Sequence, residues 1–256
     1  MADPVAIALL YPELLGTYGD GGNAAVLAQR LRWRDIPAKV VDVHAGEAIP
    51  GGCQIYVMGG GEDAPQVLAA HELRSGSALG DAVDGGAAVL AVCAGLQVLG
   101  RRFTGEDGKA HEGLGLLDCE THRDDGARRV GEVVVTPEPY LDLPDLTGYE
   151  NHGGVTNLGP SARPLGRVMV GHGNAGGDGS EGIVNGRVVG TYLHGPVLAR
   201  NPALADHLLA SVLGPLAPLE DLEVDVLRKE RLHSARHPHM HMPQLASGWR
   251  RLLRGN

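Results

Sequence analysis

One stretch constrains this chain more than any other. The apolar run Ala87-Ala88-Val89-Leu90-Ala91-Val92 ends at Cys93, and Ala94-Gly95 turn directly into Leu96-Gln97-Val98-Leu99. A continuous apolar run of that length predicts a strand buried on both faces, the habit of parallel sheets covered by helices. The segment after the cysteine predicts a helix. A residue on so sharp a strand-to-helix turn stands proud of the sheet, as in a nucleophile elbow, and here that residue is a thiol. Backbone N–H groups and the dipole at a helix start favour the thiolate. Cys93 is therefore the candidate nucleophile and not a small core hydrophobe, the usual fate of an unpaired cysteine. Cys53 and Cys119 lack this context and read as structural. Three cysteines without paired spacing give neither a disulfide framework nor a zinc pattern.

The rest of the chain repeats the theme. Residues 5–10 predict a first strand, 39–43 a second, and 55–58 a third that stops at Gly59-Gly60-Gly61. Between them Asn23 is a suitable N-cap for a helix running to about Trp33, and Pro65 opens another helical segment. Strands alternating with helices imply a mostly parallel sheet with helices on both faces. Beyond Phe103 short strand-like pieces follow at 113–117, 131–135 and 184–191, the last running into His194. Residues 201–213 are apolar at helical spacing with Asn201-Pro202 at the start, and 219–233 predict a charged amphipathic helix. The tail from Ala235 is rich in His and Arg. No internal repeat or linker divides the chain, so residues 1–256 are expected to form a single domain, with a C-terminal helix and a loosely packed tail from about 216. Aromatic residues are only 4% of the chain, so the core must be built from Ala, Val and Leu.

Several functions are disfavoured. A formal net charge of −9 argues against a nucleic-acid surface. No segment approaches the ~20 apolar residues that span a bilayer. The first residues lack a basic leader, so a reduced, cytoplasmic location is expected. There is no P-loop and no dinucleotide fingerprint. His237, His239 and His241 alternate in the tail, but no metal and no cofactor is expected.

A thiol nucleophile needs a base that keeps it ionised and later protonates the leaving group. His194, at the end of an apolar strand and before Gly195-Pro196, is placed to serve. Gly60 and Gly61 end a strand on the same edge, where their N–H groups, with that of Ala94, predict an oxyanion hole.

Together these residues resemble class I (triad-type) glutamine amidotransferases. Gly148-Tyr149-Glu150-Asn151-His152-Gly153-Gly154-Val155-Thr156 and Gly190-Thr191-Tyr192-Leu193-His194-Gly195 resemble the signatures of the cobyric acid synthase-like branch. Leu10-Tyr11-Pro12 and Tyr18-Gly19-Asp20-Gly21-Gly22-Asn23 resemble the free-standing glutaminase subunits of lipid II isoglutaminyl synthases. The resemblance covers roughly residues 5–215. It implies a flavodoxin-like three-layer α/β/α sandwich and hydrolysis of L-glutamine to glutamate and ammonia, with Cys93 as nucleophile and His194 as base. It also implies an arginine that engages glutamine, Arg128, with Arg129 close behind.

The chain departs from the triad pattern at one point. Where a glutamate usually stands two residues after the histidine, this sequence has Pro196, which cannot orient an imidazole. The resemblance therefore implies that the third, acidic member comes from a partner, a Mur-ligase-like ATP-dependent subunit (MurT) forming a heterodimer. That subunit would amidate the D-glutamate α-carboxyl of the lipid II stem peptide with the ammonia released here. The alternatives are another acceptor, such as a corrinoid carboxylate, or an inactive regulatory relative.

Overall fold

The computed structural model describes residues 3–17, 19–124 and 126–236. The His-rich tail and its three alternating histidines lie outside the described residues.

Strands β1 (Val5–Leu10), β2 (Ala38–Val43), β3 (Ile55–Met58) and β4 (Ala88–Val92) form the first half of the chain, with helices α1 (Gly22–Arg32), α2 (Asp63–Arg74), α3 (Ala78–Asp84) and α4 (Ala94–Leu99) between and after them. Strands β1, β3 and β4 are buried along their whole length, as their unbroken apolar runs require. The chain then builds β5 (Arg102–Thr104), β6 (Ala110–Glu112), β7 (Cys119–Arg123), β8 (Arg129–Pro137), β9 (Leu146–His152), β10 (Gly154–Leu158), β11 (Gly166–Val170) and β12 (Ser180–Glu181). It returns through the hairpin β13 (Ile183–Asn185) and β14 (Val188–Thr191) and closes with α5 (Val197–Arg200), α6 (Pro202–Leu213) and α7 (Leu222–Arg236).

The central sheet has the order β13-β14-β4-β3-β1-β2, parallel except for β13 at the edge. Helices α1, α5 and α6 pack together, α1 also against β1 and β2 and α6 against β4, while α2 packs on α4. This is the expected α/β sandwich of flavodoxin-like kind. Two smaller sheets, β10-β7-β5-β6 and β12-β11-β8-β9, are built from the middle of the chain. None of the described helices is long and apolar enough to cross a membrane.

Three local readings of the sequence are corrected. Asn23 does not cap α1. It lies inside the helix, fully buried, and its Oδ1 accepts the Leu198 N–H at 2.9 Å, tying α1 to α5. Residues 113–117 are a loop and not a strand, because their N–H groups go to carbonyls of residues 98–101 and not to a ladder. Residues 184–191 fold back at Asn185–Val188 into the β13–β14 hairpin, which a single apolar run conceals.

Candidate active site

Cys93 and His194 stand at the carboxyl ends of neighbouring parallel strands. β14 pairs with β4 in a register that sets Thr191 beside Val92, and the Cys93 N–H continues the ladder to the Thr191 carbonyl at 2.8 Å. Cys93 has φ 53° and ψ −106°, a backbone conformation that non-glycine residues rarely hold. The turn allows this because Gly95 lets α4 approach β3: its N–H reaches the Gly59 carbonyl, and a Cβ there would lie 3.0 Å from Met58 Cβ.

His194 is 3% exposed and its imidazole is held on two sides. Its Nδ1 lies 3.0 Å from Oδ2 of Asp20, which is itself fully buried. Cys93 is its other polar neighbour. Burial opposes a charge on the ring, but the hydrogen bonds to Asp20 and Cys93 outweigh it and push the imidazole up to about 10. The backbone of His194 is clamped as well: it exchanges hydrogen bonds with Tyr149 of β9, at 2.8 and 3.1 Å. The acidic orienter absent at Pro196 is thus present elsewhere in the same chain. This corrects the expectation that the histidine finds no acidic partner here. Pro196 instead begins α5 and packs against Gly22, where a Cβ would come within 2.5 Å of its ring.

Asp20 also fixes the glycine loop. Its Oδ2 accepts the Gly60 N–H at 2.9 Å, and the Gly60 carbonyl accepts the Thr17 N–H at 3.3 Å. The Gly60 N–H is therefore committed and is not an oxyanion donor, a second correction. Gly61 and Ala94 line the cleft with Cys93. Gly59 is enforced by space: a Cβ there would lie 2.1 Å from the Leu15 carbonyl oxygen and 2.8 Å from Asp20 Cβ.

The family is decided at this point by comparison. Residues 6–202 match the CobB/CobQ-like glutamine amidotransferase domain. The chain belongs to that family. It is 37% identical to the GatD subunit of lipid II isoglutaminyl synthase (glutamine-hydrolyzing) from Staphylococcus aureus over 218 residues, covering 83% of this chain and 86% of that one. It is 34% identical to the Streptococcus pneumoniae subunit of the same name over 211 residues, covering 81% and 80%. Cobyric acid synthase of Brucella canis is 36% identical over 165 residues, which is 61% of this chain but only 32% of that protein. Among solved structures, a glutamine amidotransferase superposes with a TM-score of 0.57 at 21% identity, over 81% of this chain and 98% of that one. The glutaminase domain of Trypanosoma brucei CTPS with bound acivicin gives 0.51 at 12% identity, over 84% and 96%. At these identities the structural likeness concerns the fold.

The cleft of this amidotransferase gathers further side chains. Arg128 lines it; its guanidinium donates to the Asn151 side chain at 2.5 Å and to the Asn151 carbonyl at 3.0 Å. Arg129 turns away to pair with Asp124. His152, Gly153 and Gly154 form the facing wall. His152 stacks on Tyr192 with ring centroids 4.0 Å apart, and its Nε2 lies 3.6 Å from Glu150. A buried chain of hydrogen bonds links residues around the cleft: Gln66 donates to Gln97 (2.8 Å), Gln97 to the Tyr192 hydroxyl (3.1 Å), which meets Thr156 (2.6 Å) and through it Thr121 (2.7 Å). Glu181, fully buried, grips the strand that carries His194 by accepting from the Thr191 hydroxyl and the Tyr192 N–H, at 2.8 and 2.7 Å. Burial pushes its carboxyl up to about 7. Cys53 and Cys119 are buried away from the cleft, and burial pushes the Cys119 thiol up to about 12. Among the described residues no cluster of His, Cys, Asp or Glu could hold a metal ion.

Sequence reading missed the role of Asp20. The signal was present: an acid flanked by glycines in the loop after β1, on the same sheet edge as Cys93.

Proposed function

We propose that this chain is the glutaminase subunit of a two-component ligase, hydrolysing L-glutamine and passing the ammonia to an ATP-dependent, Mur-ligase-like subunit that amidates the D-glutamate α-carboxyl of the lipid II stem peptide. The observation that carries the chemistry is the buried line Cys93–His194–Asp20. The Cys93 sulfur attacks the side-chain carbonyl carbon of glutamine. The N–H groups of Gly61 and Ala94 meet the oxygen as it gains charge. His194 gives its proton to the departing ammonia, leaving a γ-glutamyl thioester on Cys93. Water then enters, His194 takes its proton, and the thioester opens to glutamate and free thiol. Asp20 holds the imidazole in the tautomer and orientation both steps need. The acid is supplied in this chain, so the partner's contribution is the acceptor chemistry. Arg128, which lines the cleft and also donates to Asn151, engages the glutamine substrate. Residues 1–256 act as one amidotransferase domain, in keeping with the backbone bridge from β9 to His194. The acceptor follows the names of the relatives that match over most of their length. A corrinoid carboxylate is the second reading, favoured only by the relative of which this chain spans a third.

The test uses the complex with the Mur-ligase-like subunit, ATP and lipid II. Glutamine-dependent amidation and glutamate release are both expected to vanish in Cys93→Ser, while amidation with added ammonium survives. 6-Diazo-5-oxo-norleucine is expected to add to Cys93. Glutamate release that persists in Cys93→Ser, or an adduct on Cys53 or Cys119, would overturn the assignment.

A further inference from the structure

One buried carboxyl touches the strand that carries His194, and the hydrolysis described above gives it no part. Glu181 of β12 is fully buried, and the cleft walls do not include it. Its Oε1 accepts from both the Thr191 hydroxyl and the Tyr192 N–H. Those two residues link the proposed nucleophile to the proposed base. The Thr191 carbonyl accepts the Cys93 N–H at 2.8 Å, the Thr191 hydroxyl accepts the Leu193 N–H at 3.1 Å, and His194 follows directly. One oxygen of Glu181 therefore fixes the short segment that sets Cys93 and His194 at their separation. Its own backbone is fixed in turn, since the Glu181 carbonyl accepts the Leu165 N–H at 3.0 Å.

The other oxygen shows which form of the acid is at work. Glu181 Oε2 is buried and has no hydrogen-bond partner among the described residues. A second buried carboxyl, Glu150 of β9, acts on it. Burial opposes the charge of Glu150, but His152, His172 and the Gly173 N–H outweigh burial and hold it below the ordinary carboxylate range. Gly173 stands between the two acids: its N–H goes to Glu150 Oε2 at 3.0 Å, and a Cβ on it would lie 3.0 Å from Glu181 Cβ. Across the ladder Glu181 meets Gly166 of β11, while Arg167 pairs with the neighbouring Ser180. Glu150 is therefore the ionised member. A charge on Glu181 as well would leave an anionic oxygen without a donor beside a charge of its own sign, whereas a neutral carboxyl leaves one hydroxyl unpaired, a far smaller cost. Burial, with the Glu150 charge adding to it, pushes the carboxyl up to about 7, against the pull of its bonds to Tyr192 and Thr191. We propose that Glu181 is a positioning residue that works as a neutral carboxylic acid, holding Thr191 and Tyr192 so that Cys93 and His194 stay within reach of proton transfer. The inference rests on the glutaminase reading. A base must lie within hydrogen-bond reach of the proton it moves, so loosening this segment costs turnover before it costs glutamine binding.

The experiment follows glutamate release by the complex with the Mur-ligase-like subunit in wild type, Glu181→Gln, Glu181→Ala and Thr191→Val. Glu181→Gln keeps an acceptor oxygen and cannot ionise, while Glu181→Ala and Thr191→Val break the contact from either end. Glu181→Ala is expected to lower kcat by about 10²-fold, the scale of an ångström's misplacement, with KM for glutamine unchanged. Thr191→Val is expected to lower kcat by about 10-fold, and Glu181→Gln to stay within about fivefold of wild type below neutral pH, each the scale of one hydrogen bond. The ratio of wild-type to Glu181→Gln kcat is then read against pH. Cys93 and His194 are common to both proteins, so the ratio isolates residue 181. It is expected to fall as pH rises through about 7, where the wild-type carboxyl ionises and the glutamine does not. A ratio flat across neutral pH, an unchanged kcat in Thr191→Val, a loss in Glu181→Ala carried by KM, or a Glu181→Gln variant as impaired as Glu181→Ala would overturn the proposal. Should Glu181→Ala fail to fold, Thr191→Val and the pH ratio decide. A wild-type complex that hydrolyses no glutamine would instead overturn the glutaminase reading on which it rests.

Discussion

Asp20 carries two loads through one oxygen. Oδ2 meets the His194 ring and accepts the Gly60 N–H, so one carboxyl fixes both the imidazole and the glycine loop. Asp20→Asn keeps the shape but offers an amide where the imidazole needs an anion. In Ser-His-Asp triads the corresponding change costs on the order of 10⁴ in rate. We expect glutamate release by the complex to fall by about that factor, and acid-to-amide changes in the partner to cost far less. Comparable activity in Asp20→Asn and wild type would return the third member to the partner. The same variant has a signature in stability. The folded pKa of His194, about 10, lies above the ordinary value of 6.5. Its contribution to stability is therefore fully present below about pH 6.5 and is lost as pH rises through about 10. Melting temperature is expected to fall across that window more steeply in wild type than in Asp20→Asn, and parallel curves would contradict the pairing.

At the scale of elements the site is a matter of clearance. At Gly59 and Gly61 the glycine loop is packed so closely that a single methyl has no room. A Cβ at residue 59 would press on the Leu15 carbonyl oxygen and on Asp20 itself, and one at residue 61 would lie 2.5 Å from the Leu14 carbonyl oxygen. The two carbonyl oxygens are backbone, which cannot rotate aside. Gly59→Ala is expected to move Asp20 relative to His194 and lower kcat by about 10²-fold, the scale of an ångström's misplacement in an active site. Gly51→Ala, where a Cβ meets nothing within 4 Å, is the control and is expected to leave kcat unchanged. Steady-state kinetics on proteins with matching circular dichroism spectra separate the two.

At the scale of the whole molecule His194 is where three parts of the chain meet: the loop after β1, the end of β14, and β9 of a smaller sheet. α1 leads on from that first loop, and its own anchor is Arg30. This side chain is 3% exposed, yet its guanidinium donates to Asp206 of α6 at 2.7 Å twice and to Asp221, just before α7, at 2.8 and 2.9 Å. Arg34 adds a bond to the same Asp206. Removing the shared cation leaves two partly buried carboxylates beside each other. Breaking a buried pair from one side costs about 3–5 kcal/mol, and residual solvent contact at both aspartates places this case near the lower end. Arg30→Met is therefore expected to cost about 3 kcal/mol in urea unfolding. A loss below about 1 kcal/mol, as for surface pairs, would show the cluster to be incidental.

The periodicity of the chain determined most of the central sheet. Unbroken apolar runs mark β1, β3 and β4 because a strand covered on both faces leaves no other composition open to it. The same runs place Cys93 on a turn, since the chain must change from strand to helix within two residues. His194 was legible for a like reason, lying at the end of an apolar strand. Tertiary structure alone decided what lies beside these groups. Asp20 precedes His194 by 174 positions, and only the parallel order that brings β1 and β14 to one sheet edge sets the two 3.0 Å apart. The same packing withdrew the Gly60 N–H from the oxyanion, separated Arg128 from Arg129, and buried Glu181 against Thr191 and Tyr192. Local pattern reports which face of an element is buried. It carries no information about which distant polar group will fill the hydrogen bonds left there, because that depends on how the elements are stacked.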